Sequence, residues 1–119
     1  GDPLTVYGDG SQTRSFADVT DVVRALQRLV NEPKAVGDIF NIGNPEEVSI
    51  LQLAKHVKQL TGSSSEIVQV PYSEAYEAGF EDMPRRVPDI SKINDLTSWT
   101  PHLALEDILK RVITHMEKL

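Results

Sequence analysis

The sequence predicts a mixed α/β (α+β) fold, and three observations carry that prediction. Short β-branched and aromatic runs alternate with stretches whose apolar residues recur every three or four positions. Glycine and proline, 7 of each in 119 residues, punctuate the joints between them. No segment repeats another and no tract is of low complexity. The expected order is strand, helix, strand, helix, strand, short helix, helix.

Pro3-Leu4-Thr5-Val6-Tyr7 predicts the first strand. Gly8-Asp9-Gly10-Ser11 then breaks it with residues that favour turns and tolerate positive φ. Val19, Val22, Val23, Leu26, Leu29 and Val30 keep helical spacing and predict an amphipathic helix with that face buried. Asp18 or Thr20 is available as its N-cap, Pro33 lies beyond its end, and Arg24 and Arg28 fall on its polar face. Asp38-Ile39-Phe40-Asn41-Ile42-Gly43 predicts a second strand, stopped by Gly43-Asn44-Pro45.

The next helix is the best marked. Ser49 and Gln52 form a capping-box pattern; Ile50, Leu53, Ala54, Val57 and Leu60 make the expected buried stripe; Gly62 is the stop. After the polar Ser63-Ser64-Ser65, Glu66-Ile67-Val68-Gln69-Val70 predicts a strand ended by Pro71. From Tyr72 to Pro88 periodicity weakens, and a partly helical surface segment is expected, with Glu74, Glu77, Glu81 and Asp82 before Arg85-Arg86. Asp89 is placed to cap a short helix bearing Ile90, Ile93 and Leu96, with Trp99 and Pro101 after it. Leu105, Ile108, Leu109, Val112, Ile113 and Met116 predict the last helix.

Composition removes several functions. Lys and Arg number 12 against 18 Asp and Glu, a net charge of −6, which argues against non-specific nucleic-acid binding. Zero cysteine excludes disulfides, thiolate zinc sites and cysteine nucleophiles. The longest apolar runs are a few residues, so no membrane span is expected. Gly1-Asp2-Pro3-Leu4 has neither the charged start nor the apolar core of a signal peptide, and no initiating Met. The expectation is a fragment forming a single domain over residues 1–119, in the cytoplasm.

No catalytic constellation is legible. Gly8-Asp9-Gly10-Ser11-Gln12-Thr13 begins like a dinucleotide fingerprint, but Thr13 stands where the third glycine belongs. No strongly marked helix opens from it, so the loop is read as a turn and no cofactor is assigned to it. His56, His102 and His115 lie on separate segments without metal-ligand spacing, so no metal site is assigned. Four residues after Tyr7, Tyr72 and Tyr76 come Ser11, Tyr76 and Phe80, so no Tyr-x-x-x-Lys pair exists. No serine sits in a Gly-x-Ser-x-Gly elbow. The acidic residues between 74 and 82 read as a solvated face.

What remains suits ligand holding. Arg14 follows a glycine loop, where a guanidinium can give a phosphate two parallel hydrogen bonds. Arg85 and Arg86 follow the acidic segment, and Tyr7 ends a strand where its ring can stack on a planar base. Each also has a purely structural reading: a solvated or ion-paired arginine, an aromatic in a core.

In order, these residues resemble a family. Pro3 to Phe16 with Val19 and Asp21, then Phe40-Asn41-Ile42-Gly43-Asn44-Pro45, the helix from Ser49-Ile50, Pro84-Arg85-Arg86-Val87-Pro88-Asp89-Ile90, and finally Trp99, Pro101 and Leu105-Glu106 look like the C-terminal part of extended short-chain dehydrogenase/reductases. These are the NAD-dependent nucleoside-diphosphate-sugar epimerases, dehydratases and decarboxylases. The resemblance implies a substrate-binding half without its Rossmann domain. Arg14 and Arg86 would bind the diphosphate; Tyr7 would lie beside the base with Val6 lining the same pocket; Asp21 would cap a helix; Arg85 would support the pocket or stay exposed.

NAD and the Tyr and Lys of the chemistry would belong to the missing half, so NAD is expected in the full-length parent and not on this piece. The expected parent acts on a UDP-sugar through a 4-keto intermediate, most like UDP-glucose 4-epimerase or UDP-glucuronate decarboxylase, with dTDP-glucose 4,6-dehydratase as alternative. Such parents are commonly dimers. The rival is a stand-alone, non-catalytic α/β binding or interaction module. The isolated piece is expected to expose apolar surface around Ile39–Gly43 and so to self-associate.

Overall fold

β1 (Leu4–Tyr7) and β4 (Ile67–Val70) lie side by side in parallel, with Leu4 opposite Ile67 and Tyr7 opposite Val70. The computed structural model describes residues 1–75 and 83–119. Its remaining elements are β2 (Thr13–Ser15), α1 (Val19–Val30), a 3-10 turn at Pro33–Ala35, β3 (Glu47–Ser49), α2 (Ile50–Thr61), α3 (Tyr72–Ala75), α4 (Ser91–Thr97) and α5 (Leu105–Met116). β2 and β3 pair in a second two-stranded sheet. The fold class is the expected mixture of strands and helices. Two units divide the chain: one holds residues 1–14, 48–86 and 109–119, the other 15–47 and 87–108.

In the first unit β1 is pinned at both ends, Leu4 N donating to Glu66 O and Gly8 N to Val70 O, each at 2.8 Å. Parallel strands need a long crossover, and α2, lying against β1, closes it. Ser49 and Gln52 form the expected capping box. Leu51 N and Ile50 N donate to Gly10 O and Gln12 O at 3.0 Å, so the glycine loop satisfies two further N-terminal donors of the helix. Gly62 ends α2 in the left-handed conformation. The stripe Ile50, Leu53, Ala54, Val57 and Leu60 is half-buried rather than buried.

In the second unit Ala25, Ile93 and Trp99 form a fully buried core, with Leu29, Phe40, Ile42 and Ile90 against it. Asp18, not Thr20, caps α1, its carboxylate accepting from Thr20 N. The helix is turned from its expected orientation. Val19 (71% exposed), Val23 (47%), Leu26 (51%) and Val30 (85%) face outward, while Ala25 and Asp21 are buried. Arg28 is exposed and Arg24 partly buried, and both make specific contacts. Arg24 lies over the Trp99 ring, 5.6 Å from its centroid, and donates to Thr100 O at 2.5 Å; Arg28 donates to Thr97 O at 2.7 Å. These carbonyls lie where α4 ends, and cations near such ends are favourable.

Asp21 is a correction as well. It sits inside α1 rather than at its cap, because Asp18 already takes the free N–H. Its carboxylate instead accepts from Leu103 N at 3.1 Å and Arg24 Nη2 at 3.0 Å. Burial pushes this carboxyl up, but the Leu103 and His102 amides and the Arg24 guanidinium outweigh it and hold the group below its usual range.

The strand expected at Asp38–Gly43 does not form. A strand needs a pairing edge, and none of the described strands pairs with this segment. Lys92 holds it instead, through Asp38 Oδ1 at 2.5 Å and Ile39 O at 2.8 Å, while Phe40 and Ile42 pack on the core. Asp89 accepts from Ser91 N at 3.0 Å, at the start of α4. On α5, Leu105 and Ile108 are buried, but Val112 and Met116 are exposed. No helix among the described residues is long and apolar enough to cross a membrane. Of the surface segment expected from Tyr72 to Pro88, residues 76–82 lie outside the described residues.

Candidate functional site

All four residues singled out for ligand binding fall in the first unit. Along β1 side chains alternate between faces. Val6 is 2% exposed and its Cγ1 faces Gly10, where a Cβ would come within 2.8 Å. Tyr7, one residue on, is 40% exposed. The structure therefore puts Val6 in the interior and Tyr7 at the surface.

Arg14, on β2, is half-buried; its Nη1 donates to Thr13 O and Met83 O, both at 2.7 Å. Thr13 in turn pairs in parallel with Arg85 and donates its N–H to Pro84 O at 2.9 Å. One residue beyond that bridge on each segment stand Arg14 and Arg86. Bridged backbones run about 4.8 Å apart, so the bridge draws together two chain segments, each with an arginine next to the bridged residue, across 71 intervening residues. Arg86 is exposed, and Arg85 is engaged through its backbone.

The turn between Tyr7 and Arg14 is held by groups that sequence reasoning missed. Gln12 Nε2 donates to Tyr7 O and Gln69 Nε2 to Asp9 O, both at 3.1 Å. The Tyr72 ring lies against Gly8, where a Cβ would be 2.7 Å from Cε2. Asp9 accepts from Ser11 Oγ at 2.6 Å and Ser11 N at 2.9 Å, and these bonds hold its carboxyl below the usual range. Gln12 was findable, since it lies within the glycine motif; Gln69 and Tyr72 carried no sequence signal.

The glycine loop leads into strand β2 and not into a helix of its own, and its carbonyls occupy the first N–H groups of α2. It offers no helix N-terminus to a pyrophosphate. His56, His102 and His115 are exposed on separate segments. A cavity of about 550 Å³ in the second unit is lined by Arg24, Gln27, Arg28 and Thr97 among others. Its two arginines are engaged by carbonyls at the end of α4, and Val6, Tyr7, Arg14 and Arg86 do not line it.

Strand, glycine turn, arginine strand and an Arg-Arg segment returning beside it form the frame of an extended short-chain dehydrogenase/reductase. The chain belongs to the GDP-mannose 4,6 dehydratase family, which matches residues 1–112. It is 45% identical over 113 residues to UDP-N-acetyl-alpha-D-glucosaminuronate decarboxylase of Bacillus cytotoxicus, covering 95% of this chain and 35% of that protein. With UDP-glucuronic acid decarboxylase 1 of Xenopus tropicalis it shares 44% over 118 residues, covering 99% of this chain and 26% of the relative. The crystal structure of UDP-glucose 4-epimerase with UDP-glucose from Thermotoga maritima superposes with a TM-score of 0.84 at 29% identity, covering 98% of this chain and 35% of that one. The chain thus spans about a third or less of the length of these proteins.

Proposed function

We propose that this chain is the nucleoside-diphosphate-sugar-binding portion of an NAD-dependent sugar-nucleotide epimerase, dehydratase or decarboxylase. The observation that supports the reading is the pairing of Thr13 with Arg85, the residues that precede Arg14 and Arg86. Two guanidiniums there would grip the diphosphate bidentately. The partly exposed ring of Tyr7 would stack on the base, with Val6 fixing the strand beneath it. Binding energy spent on the nucleotide, far from the reacting carbon, orients the sugar for chemistry at C4 through a keto intermediate.

A UDP-sugar is the substrate class that the relatives favour, and a decarboxylase parent is supported by the 45% and 44% identities. The glycine loop does not fit the pyrophosphate of NAD, because it runs into a strand, so no hydride step is derived for it. In this reading NAD is held elsewhere in a cytoplasmic, dimeric whole protein. The fragment's own role is binding and orientation.

Calorimetric titration with UDP tests the reading. Binding weakened about tenfold or more in both Arg14→Ala and Arg86→Ala supports the clamp. Unchanged affinity in both variants, or no binding by the intact protein, overturns it and favours a non-catalytic module.

A further inference from the structure

We propose that Tyr72 is a positioning residue for this site, its ring fixing the glycine turn that presents Tyr7 to the nucleobase; the inference rests on the nucleotide-binding reading above. Gly8 has φ +66°, and a Cβ built on it would lie 2.7 Å from Tyr72 Cε2 and 3.3 Å from Cδ2 and Cζ. The ring therefore lies directly on the Gly8 backbone, at a place only glycine can occupy.

The chain path explains how it gets there. Gly8 N is bonded to Val70 O at the end of β4, Pro71 stops that strand, and Tyr72 opens α3 at once. Residues 70 and 72 thus hold Gly8 through a hydrogen bond and a ring face, while Gln69 holds Asp9 O at 3.1 Å. A turn with glycines at 8 and 10 has much conformational freedom to lose, and a ligand that had to order it would bind more weakly. Tyr72 is half-buried, so its ring covers the turn without belonging to the closed core.

The test uses the intact protein and two probes, UDP and inorganic pyrophosphate, titrated by NMR and calorimetry. Pyrophosphate engages the arginines alone, whereas UDP also needs the turn. Tyr72→Ala is expected to weaken UDP about tenfold, a loss matching the ordering of one or two side chains, and to leave pyrophosphate unchanged. Tyr72→Phe, which keeps the ring, is expected to stay within about twofold for UDP. Hydrogen exchange at Asp9, Gly10 and Ser11 is expected to quicken in Tyr72→Ala only. Equal loss of both probes, or no loss of either, overturns the inference while the clamp stands if Arg14→Ala still weakens UDP binding about tenfold or more. Absence of UDP binding in the unmodified protein overturns the underlying reading and this inference with it.

Discussion

Trp99 donates its indole N–H to the main-chain carbonyl of Asp21 at 3.1 Å, and both residues are buried. The bond joins α1 to the segment after α4 at the centre of the second unit. The same aspartate receives Leu103 N on its carboxylate, so one residue of α1 fixes two points of a loop some 80 positions away.

Trp99→Phe keeps an aromatic ring but removes this second hydrogen bond to a carbonyl that also belongs to the α1 ladder. The expected loss from the bond is about 0.5–1.5 kcal/mol of stability, read from chemical denaturation. Trp99→Ala adds a cavity and is expected to cost about 3–5 kcal/mol. Equal stability of the Phe variant and the parent would show that the bond contributes nothing.

Asp21 predicts an acid limb. Its folded pKa lies below the ordinary value near 3.9, so its stabilisation is fully present above that pH. It is lost as pH falls through the depressed folded value. Asp21→Asn is expected to be less stable at pH 7 and to show a shallower decline in stability below about pH 4. Denaturation midpoints for the two proteins between pH 2 and 7 check this.

Gly10 and Gly37 separate strain from crowding. Both have positive φ, +74° and +77°, but a Cβ at Gly10 would meet Val6 Cγ1 and Leu51 Cβ at 2.8 Å, whereas at Gly37 nothing lies within 4 Å. Gly37→Ala is expected to cost about 1–2 kcal/mol from backbone strain alone. Gly10→Ala should cost about 1–3 kcal/mol more through overpacking. Indistinguishable melting temperatures would refute the crowding.

Arg14 and Arg86 share one ligand in the proposed clamp. Each alanine variant is expected to weaken UDP by about tenfold to a hundredfold, the scale of charge-assisted hydrogen bonds. The double variant should lose less than the sum, since groups in one network are not additive. Strict additivity in a double-mutant cycle would place the two arginines on separate ligands or none.

The outward face of α1 predicts self-association. Val19, Val23, Leu26 and Val30 form an exposed stripe at helical spacing. Light scattering is expected to show mass rising with concentration, and Val23→Lys with Leu26→Lys to abolish the rise. A monomer throughout would remove this expectation.

The positions of the helices, their Asp18 and Ser49 caps and the Gly62 stop were legible because capping and periodicity are local, acting within one or two turns. Tyr7 and Arg14 were legible too, as residues flanking a glycine turn. The tertiary structure alone decided which face of α1 is covered, since periodicity finds a stripe but not its partner. It decided that Asp38–Gly43 is no strand, because strand formation depends on an edge elsewhere. It decided, above all, that the Arg85 backbone bridges Thr13 and that Tyr72 lies on Gly8. Both depend on backbone pairing across more than sixty residues, and no local propensity encodes such a contact.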